Sequence, residues 1–495
     1  MRFFGLAPIL CLTSALALRV PDYHGLGQIS LGILSKCGGI QSAEERTIYQ
    51  VLKEDESFSR LVKAIDLSDR VVSLLDDADA GITFFAVPNS GLPHPRPPGH
   101  EDLRPGRGDD RDIPHNLGDL VLQVEQLDHV IDDDDKEHRK QALARIIRGI
   151  LAYHILPEKL ESAQLVENNT YATNLTLKDG SLDYEPLRIS VQSTTVPPRL
   201  RLNQIVEVTK RDIEATNGVI HAISLPLLPP PSIFQEAFLI PEVFSYTSAL
   251  QRVGLTGAVD RRHVSGEDGK KGSFQGATAT TFFAPTSGAF ERLPRKLRLF
   301  LFSPFGENAL RKILEYHIVP QFVLHTDYYH DARPSDSAIL TSLDEWSLAE
   351  LQASMPDPNT ISGSETGYEK RPRPPLPDPV YAYNVTLPTL LQDRSLHVEI
   401  SRYKSKLPVP GPPRYFTTFR VNGEEVGPFD VPARNGALHV ITKLLDPRGH
   451  RHRGGHDDYK HHKHRDGHGV SRTHRDYDAQ WEDWEEWLPQ WAAEN

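Results

Sequence analysis

Hydrophobic residues recur at helical spacing in two separate parts of the chain. One stretch has apolar residues at positions i, i+3, i+4, i+7 and i+8, which predicts an amphipathic helix; these are Leu143, Ile146, Ile147, Ile150 and Leu151. Leu310, Ile313 and Leu314 repeat the start of this pattern. Pro157 and Pro320 then follow at the same distance, and each should end its helix because the residue before proline is driven to extended geometry.

Strand patterns also come in pairs. The apolar runs at 83–86 and 281–284 are each stopped by proline and are typical of strands buried on both faces. Further along, residues 187–191 and 396–400 alternate between apolar and polar positions, which is typical of half-buried strands. Asn-Gly pairs at 217–218 and 435–436 predict tight turns with positive φ, each followed by a strand. Helices therefore come first and strands second, twice over, which predicts an α+β class.

Three sequence blocks occur twice in the same order, which identifies an internal repeat. The blocks are Thr-Phe-Phe-Ala (from Thr83 and Thr281), Tyr-His-Ile-x-Pro (from Tyr153 and Tyr316) and Asn-Gly-x-x-His (from Asn217 and Asn435). They predict two domains, at 44–230 and 233–448. The spacing between blocks predicts an insert at 93–135 in the first domain and at 325–380 in the second. Both inserts are polar and rich in proline, and we expect them to be disordered surface loops.

The ordered set of blocks resembles the fasciclin domain family, and the chain is identified as a secreted, fungal-type member with two tandem domains. The resemblance covers most of residues 44–448 apart from the inserts. It implies a wedge of helices packed on a β-sandwich, extracellular or cell-wall placement, and a role in adhesion. Val87, which lies between Ala86 and Pro88, departs from the family pattern and leaves the geometry of that turn open.

The two ends of the chain predict segments of another kind. Residues 1–17 have a basic start, an apolar stretch and a small-residue site, which predicts a cleaved signal peptide, followed by a linker at 18–43. Cleavage would leave Cys37 as a single cysteine, either buried, free or paired between molecules. The tail at 449–495 is predicted to be disordered, first His-rich and then acidic and rich in tryptophan. The spacing of those tryptophans would also suit one face of a short helix.

The residues most easily mistaken for a catalytic site are Tyr153, His154, Tyr316 and His317. In animal members of the family this pair is discussed as part of an adhesion surface, so the four residues are candidates for partner binding. The alternative is that each histidine packs on its helix and bonds to a backbone carbonyl. His221 and His439 lie in predicted core strands, and we expect them to be structural.

Two further kinds of site are suggested by local sequence. Sequons predict glycosylation at Asn168, Asn174 and Asn384. The tail offers a loose metal site in which neutral imidazoles would be the ligands, at His450, His452, His461, His462 and His464. No cofactor is expected.

Charge and motif content narrow the function. A formal net charge of −12 argues against nucleic-acid binding, and no later segment suits a transmembrane helix. The sequence contains no Gly-x-Ser-x-Gly, no His-Glu-x-x-His, no phosphate-loop motif and no dinucleotide-binding fingerprint. We therefore expect a non-enzymatic protein that binds a cell-surface protein or polysaccharide, placed outside the cell, in the cell wall or, alternatively, in the vacuole. The alternatives are a metal-binding protein acting through the tail and a hydrolase whose residues are assembled across the fold.

Overall fold

The computed structural model describes residues 46–92, 133–195, 197–264, 272–333, 378–405, 413–448 and 481–494. These residues form two copies of one α+β arrangement, which we call domain 1 (46–230) and domain 2 (231–494). The predicted signal peptide, Cys37 and the His-rich part of the tail lie outside the described residues.

Domain 1 places four of its five helices before most of its strands. The helices are α1 (Ile48–Glu54), α2 (Ser59–Ile65), α3 (Asp69–Asp76), α4 (Asp133–Tyr153) and α5 (Ser162–Leu165). The strands are β1 (Ile82–Ala86), β2 (Ile155–Leu156), β3 (Thr170–Thr176), β4 (Pro186–Thr195), β5 (Pro198–Leu202), β6 (Val206–Ala215) and β7 (Gly218–Ile223). They form one sheet in the order β2-β1-β7-β6-β5-β4-β3.

Domain 2 repeats the plan with more, smaller sheets. Its helices are α6 (Ile233–Ala237), α7 (Phe244–Arg252), α8 (Ser287–Glu291), α9 (Arg295–Leu301), α10 (Glu307–Glu315) and α11 (Trp484–Ala493). Its first strands are β8 (Arg261–Val264), β9 (Ser273–Gly276), β10 (Thr280–Pro285), β11 (Ile318–Pro320), β12 (Phe322–His325) and β13 (Tyr328–Asp331). Its later strands are β14 (Asp378–Pro388), β15 (Ser395–Ser405), β16 (Arg414–Val421), β17 (Glu424–Glu425), β18 (Val431–Ala433) and β19 (Gly436–Ile441). The sheets are β11-β10-β19-β18, β14-β15-β16-β17, β12-β13 and β8-β9.

A buried parallel strand pair lies at the centre of each domain. β1 pairs with β7 so that Phe84 faces Ile220, and β10 pairs with β19 so that Phe282 faces Leu438. Every residue of these four strands is buried, which explains why their sequences are mostly apolar and do not alternate between apolar and polar positions. The α+β class and the tandem arrangement predicted from the repeat are confirmed.

The Asn-Gly turns connect the strands as predicted, but the residues act differently than expected. Only Gly436 has a positive φ, of 148°, and Gly218 does not. Glycine is required at both positions because a Cβ atom would lie 1.9 Å from the Ile82 carbonyl oxygen at Gly218, and 1.8 Å from the Thr280 carbonyl oxygen at Gly436. The close approach of the parallel strand therefore selects glycine.

The asparagines of the same turns hold the first helix of each domain. The Asn217 Oδ1 atom accepts a hydrogen bond from the Ile48 amide at 2.8 Å, and Asn435 Oδ1 accepts one from the Ile233 amide at 2.9 Å. Both side chains are buried, and their Nδ2 groups donate to backbone carbonyls. One turn thus joins the first helix of each domain to its last core strand.

The prediction that the tail is disordered is wrong for residues 481–494. In this segment α11 packs on α9 and α10 of domain 2. Trp481 is fully buried, and the Trp484 ring lies 5.2 Å from the Phe300 ring. Arg448 donates to Asp483 at 2.9 Å and lies 4.2 Å over the Trp487 ring. The segment is ordered because its tryptophan face completes the hydrophobic core of the domain.

Three smaller predictions also need correction. The first insert cannot extend to 135, because α4 begins at Asp133. The second was placed at 325–380, but residues up to Asp331 form the β12–β13 hairpin and β14 begins at Asp378. Apart from residues 332 and 333, the remaining residues of both inserts lie outside the described part. Ile146, predicted on the buried face of α4, is 41% exposed.

Candidate functional site

A three-residue cluster, which we call the clasp, occurs once in each domain. In domain 1 the Asp212 carboxylate accepts hydrogen bonds from the Ser162 amide at 2.6 Å and from its hydroxyl at 2.5 Å. The Asp212 amide donates to Nδ1 of His221 at 3.2 Å, and His221 Nε2 lies 3.0 Å from the Leu160 carbonyl. Because Nδ1 accepts, Nε2 carries the proton and donates to that carbonyl.

Domain 2 repeats the clasp with Thr326, Asp430 and His439. The Thr326 amide and hydroxyl both donate to the Asp430 carboxylate, the amide at 2.8 Å. The Asp430 amide donates to His439 Nδ1 at 3.1 Å, and His439 Nε2 lies 2.8 Å from the Leu324 carbonyl. The geometry matches that of domain 1 bond for bond.

The clasp has the residue types of a hydrolytic triad in a different arrangement. In a triad the histidine lies between the hydroxyl and the carboxylate and removes the hydroxyl proton. Here the hydroxyl donates directly to the carboxylate, and both ring nitrogens of the histidine bond to backbone groups. The histidine does not contact the hydroxyl, so the clasp lacks the hydroxyl–histidine contact of a triad, and its bonds fix the loop before α5 against β6 and β7.

The two clasps differ in their exposure to solvent. The Asp212 side chain is 41% exposed, whereas that of Asp430 is 2% exposed and lies 3.4 Å from Nδ1 of a second buried histidine, His325. Burial would raise the pKa of Asp430, but hydrogen bonding to His325 and the charge of that histidine bring it below its ordinary value. Burial lowers the pKa of His439 to about 4.

The four candidates for partner binding are buried and serve the fold. His154 Nδ1 lies 2.8 Å from the Ile150 carbonyl, and Nε2 accepts from the Leu227 amide at 3.0 Å; His317 makes the same pair of bonds with Ile313 and Leu445. Burial lowers the pKa of both histidines to about 4. In this conformation neither histidine offers a surface to a partner.

The tyrosines of the same pairs are also bonded internally. Tyr153 donates to the Arg188 carbonyl at 3.0 Å and accepts from Asn203, and Tyr316 does the same with Ser395 and Asn422. At most 2% of either tyrosine is exposed. The alternative interpretation, in which each Tyr-His pair is structural, describes both copies.

A polar network joins the two domains at the clasp of domain 2. The Asp327 carboxylate accepts from the amides of Asn169 and Thr170 at 2.8 and 2.7 Å, and from the Thr170 hydroxyl at 2.5 Å. The Asn169 side chain donates to the Thr326 hydroxyl at 2.7 Å. Burial, and then the charge of Asp430, raise the pKa of Asp327.

Arg402 crosses the same boundary from β15. Its guanidinium donates to the Asn169 side chain, to the Thr417 hydroxyl at 2.8 Å and to the Val166 carbonyl at 2.8 Å. The residue is 2% exposed, and all three partner atoms are neutral oxygens. Sequence reasoning missed this network because it placed Thr326 and Asp327 in the second insert, and no local pattern marks residues that meet only when the domains dock.

A second contact lies at the other end of the boundary. Arg434 donates to Asp179 through two nitrogens, at 3.1 and 2.6 Å, and stacks 4.3 Å over the Phe274 ring. The Leu182 amide donates to the Thr278 carbonyl at 2.8 Å. These contacts hold the domains together in addition to the network around Arg402.

Beside the network of Asn169 and Arg402 lies a cleft with a cavity of about 220 Å³. Domain 1 supplies Asn169 and residues 190–193 of β4, while domain 2 supplies Arg402, Tyr415, Thr417 and residues 428–430. We call this the interdomain cleft. It joins polar side chains to two aromatic rings, those of Tyr415 and Phe429.

The predicted glycosylation sites differ in their surroundings. Asn168 and Asn174 are exposed, whereas Asn384 is half-buried on β14. The hydroxyl of Thr170, the third residue of the first sequon, is bonded to Asp327 at the domain boundary. A glycan on Asn168 would therefore lie beside the contact between the domains.

The predicted metal ligands lie in the His-rich tail, outside the described residues. Within the described ranges, no group of three or more histidine, cysteine or acidic side chains is arranged to hold a metal ion. Among those same residues, no helix is both long and apolar enough to cross a membrane.

Comparison with known proteins identifies the repeated unit. The fasciclin domain family model matches residues 131–229 and 243–350. "Aurofusarin biosynthesis cluster protein S" of Gibberella zeae is 32% identical over 145 residues, which cover 29% of this chain and 32% of that protein. Stabilin-2 of mouse is 30% identical over 194 residues, covering 35% of this chain and 6% of that protein. The chain thus spans about a third or less of the length of these two relatives.

In two further comparisons the match covers a larger share of the other protein's length. Protein sll1483 of Synechocystis is 27% identical over 184 residues, covering 37% of this chain and 74% of that protein. A solved fasciclin domain pair from the insect cell adhesion molecule fasciclin I is 16% identical, covers 79% of this chain and 98% of that chain, and gives a TM-score of 0.27.

Two segments of the chain thus match the fasciclin domain model, in agreement with the two tandem α+β domains of the structure. Fasciclin domains are associated with cell adhesion and are often found outside the cell or at its surface.

Proposed function

We propose that this protein is a secreted or cell-surface adhesion protein that acts by binding a surface protein or polysaccharide and not by catalysis. The proposal rests on a difference between the residues that the two domains have in common and those that they do not. Residues that both domains share, such as His154 and His317, are buried in matching structural bonds. Residues that differ between the copies, such as Asn169 and Arg402, lie where the domains meet.

The chemistry of the described residues supports binding over turnover. The clasps have hydrolase residue types but no histidine at the hydroxyl, and their histidines are held in fixed neutral tautomers by backbone groups. A docked domain pair instead offers surfaces of fixed relative geometry, which lowers the ordering cost of binding an extended partner.

An adhesion assay tests the proposal. Beads coated with the full chain should bind to cells or isolated cell walls, and heat-denatured chain on the same beads should not. A tagged chain should be recovered from the medium or the wall fraction. Retention of the tagged chain inside the cell, together with beads that bind no better than the denatured control, would overturn the proposal.

A further inference from the structure

The interdomain cleft holds two buried polar atoms with no partner among the described residues. They are Nε of Arg402 and the hydroxyl of Ser190, in residues that are 2% and 1% exposed. Both residues line the cavity. A buried donor left without a partner destabilises the folded state, so such groups usually have one that is not part of the chain.

The charge of the lining restricts what that partner is. Arg402 and Asp430 contribute one positive and one negative charge, and the other polar lining side chains are neutral hydroxyls and amides. A phosphate or carboxylate ligand would meet the Asp430 carboxylate, whose pKa lies below its ordinary value. A neutral ligand with several hydroxyl groups can donate to and accept from this lining without that repulsion.

The aromatic walls select for a ring with apolar faces. Tyr415 and Phe429 are both half-buried and line the domain 2 side of the cleft. A sugar ring combines C–H faces, which pack on aromatic rings, with hydroxyls around its edge. The cavity of about 220 Å³ is below the roughly 300 Å³ at which pockets for drug-sized ligands begin, so it suits one ring of a longer chain.

We propose that the interdomain cleft binds a single sugar ring of a neutral polysaccharide, with Arg402 Nε and the Ser190 hydroxyl bonded to ring hydroxyls. This inference rests on the proposed adhesion function and supplies its ligand class. Catalytic chemistry is not part of it.

The test uses the full chain and soluble hexasaccharides of glucose, mannose and galactose, with hexagalacturonate as the charged comparison. Isothermal titration calorimetry should show binding of at least one neutral hexasaccharide, more tightly than hexagalacturonate. Preference for hexagalacturonate would overturn the neutral class, and absence of binding by all the neutral probes at millimolar concentration would overturn the inference itself.

Two variants locate the site. Ser193→Trp places a large ring at the exposed rim of the cleft, on a strand that accepts tryptophan well, and should weaken binding at least tenfold. Thr418→Trp is the matched control, since Thr418 is exposed on β16 but does not line the cavity; its affinity should stay within twofold of the wild type. Equal binding by Ser193→Trp and wild type contradicts the location.

Ser190→Ala separates a ligand contact from a structural role. The hydroxyl has no partner among the described residues, so its removal should leave the thermal midpoint unchanged and weaken binding about three- to tenfold. A lower midpoint with unchanged affinity would assign the hydroxyl to the fold and contradict the inference.

The bead assay distinguishes the two proposals. Bead adhesion and hexasaccharide affinity that are both unchanged in Ser193→Trp refute the cleft and leave the adhesion function standing. Hexasaccharide binding without bead adhesion refutes the adhesion function and leaves the cleft standing.

Discussion

The two domains contain the same clasp in different surroundings. In domain 1 it lies near the surface and fixes the loop before α5, whereas in domain 2 it is buried and its threonine hydroxyl accepts a hydrogen bond from Asn169 of the other domain. The backbone geometry is the same in both copies. The comparison shows that a local fold element can acquire an interface role through a hydrogen bond from a neighbouring domain, with almost no change in its own bonds.

Low pH should lower the folding stability of both domains, because each contains buried neutral histidines. The pKa of His154, His317 and His439 is lowered to about 4 by burial, below the ordinary 6.5, so the folded chain binds fewer protons than the unfolded chain between these values. Stability is therefore complete above about pH 6.5 and falls as the pH drops towards 4, by about 1.4 kcal/mol per pH unit for each histidine. Urea unfolding at pH 7, 6 and 5 measures this loss.

Single substitutions show which histidines cause the acid effect. His317→Gln should flatten the pH dependence, because glutamine keeps a donor and an acceptor but does not titrate in this range. His397→Gln, at a side chain that is 49% exposed, should not. Stability that stays constant down to pH 4.5 would contradict the assignment of the buried rings as neutral.

Trp481 belongs to domain 2 alone, and its removal should destabilise that domain strongly. Trp481→Ala leaves a large cavity under α11 and should lower the unfolding free energy of domain 2 by about 4 kcal/mol. Glu482→Ala, at the next and exposed position, should change it by less than about 0.5 kcal/mol. Equal effects in differential scanning calorimetry would show that α11 does not stabilise the core.

The clasps themselves should differ in energetic importance. Asp430→Asn replaces a buried carboxylate that accepts from Thr326 and should cost about 3 kcal/mol, whereas Asp212→Asn should cost about 1 kcal/mol. Asparagine is chosen because both positions have positive φ, near 55°, which it tolerates. Similar losses of urea midpoint for the two variants would mean that burial does not distinguish the clasps.

A smaller effect than that of Asp430→Asn is expected at the boundary between the domains. Asp327→Asn weakens the bonds from the amides of Asn169 and Thr170, and should cost about 1.5 kcal/mol and speed exchange of those two amide hydrogens. Asp183→Asn is the matched control, since Asp183 faces His330 across the same boundary at 3.4 Å but is 56% exposed. Exchange that is as slow in Asp327→Asn as in the control would remove the network from the docking contact.

The resemblance to the fasciclin family, the repeat and the core strands could be predicted from the sequence, because their signals lie in short stretches of neighbouring residues. Phe84 and Phe282 lie in continuous apolar runs, and Asn217 and Asn435 in turn motifs, so each signal is contained in a few neighbouring residues. The structural interpretation of the Tyr-His pairs also followed from helix periodicity. These features depend on short-range patterns that are present twice.

The interdomain cleft and the packing of α11 could not be predicted from such short stretches of sequence. Asn169 and Arg402 are far apart in sequence and meet only through docking of whole domains. Trp481 looked like part of a polar tail because the residues around it are acidic, and only the groove on α9 and α10 explains its burial. Asp327 was not predicted to take part in the boundary because it was assigned to the polar insert at 325–380.

The docked helix α11 also changes what a protease can do to this protein. Arg448 and Asp483 are in direct contact, so the ends of the stretch 449–480 are held together on domain 2. A single cut within that stretch separates the covalent chain but leaves α11 attached through Trp481 and Lys312, which donates to the Trp491 carbonyl at 2.8 Å. The cut protein would run as two bands in denaturing electrophoresis and as one particle in gel filtration. It would also lose the high local concentration that returns α11 to its groove after each opening.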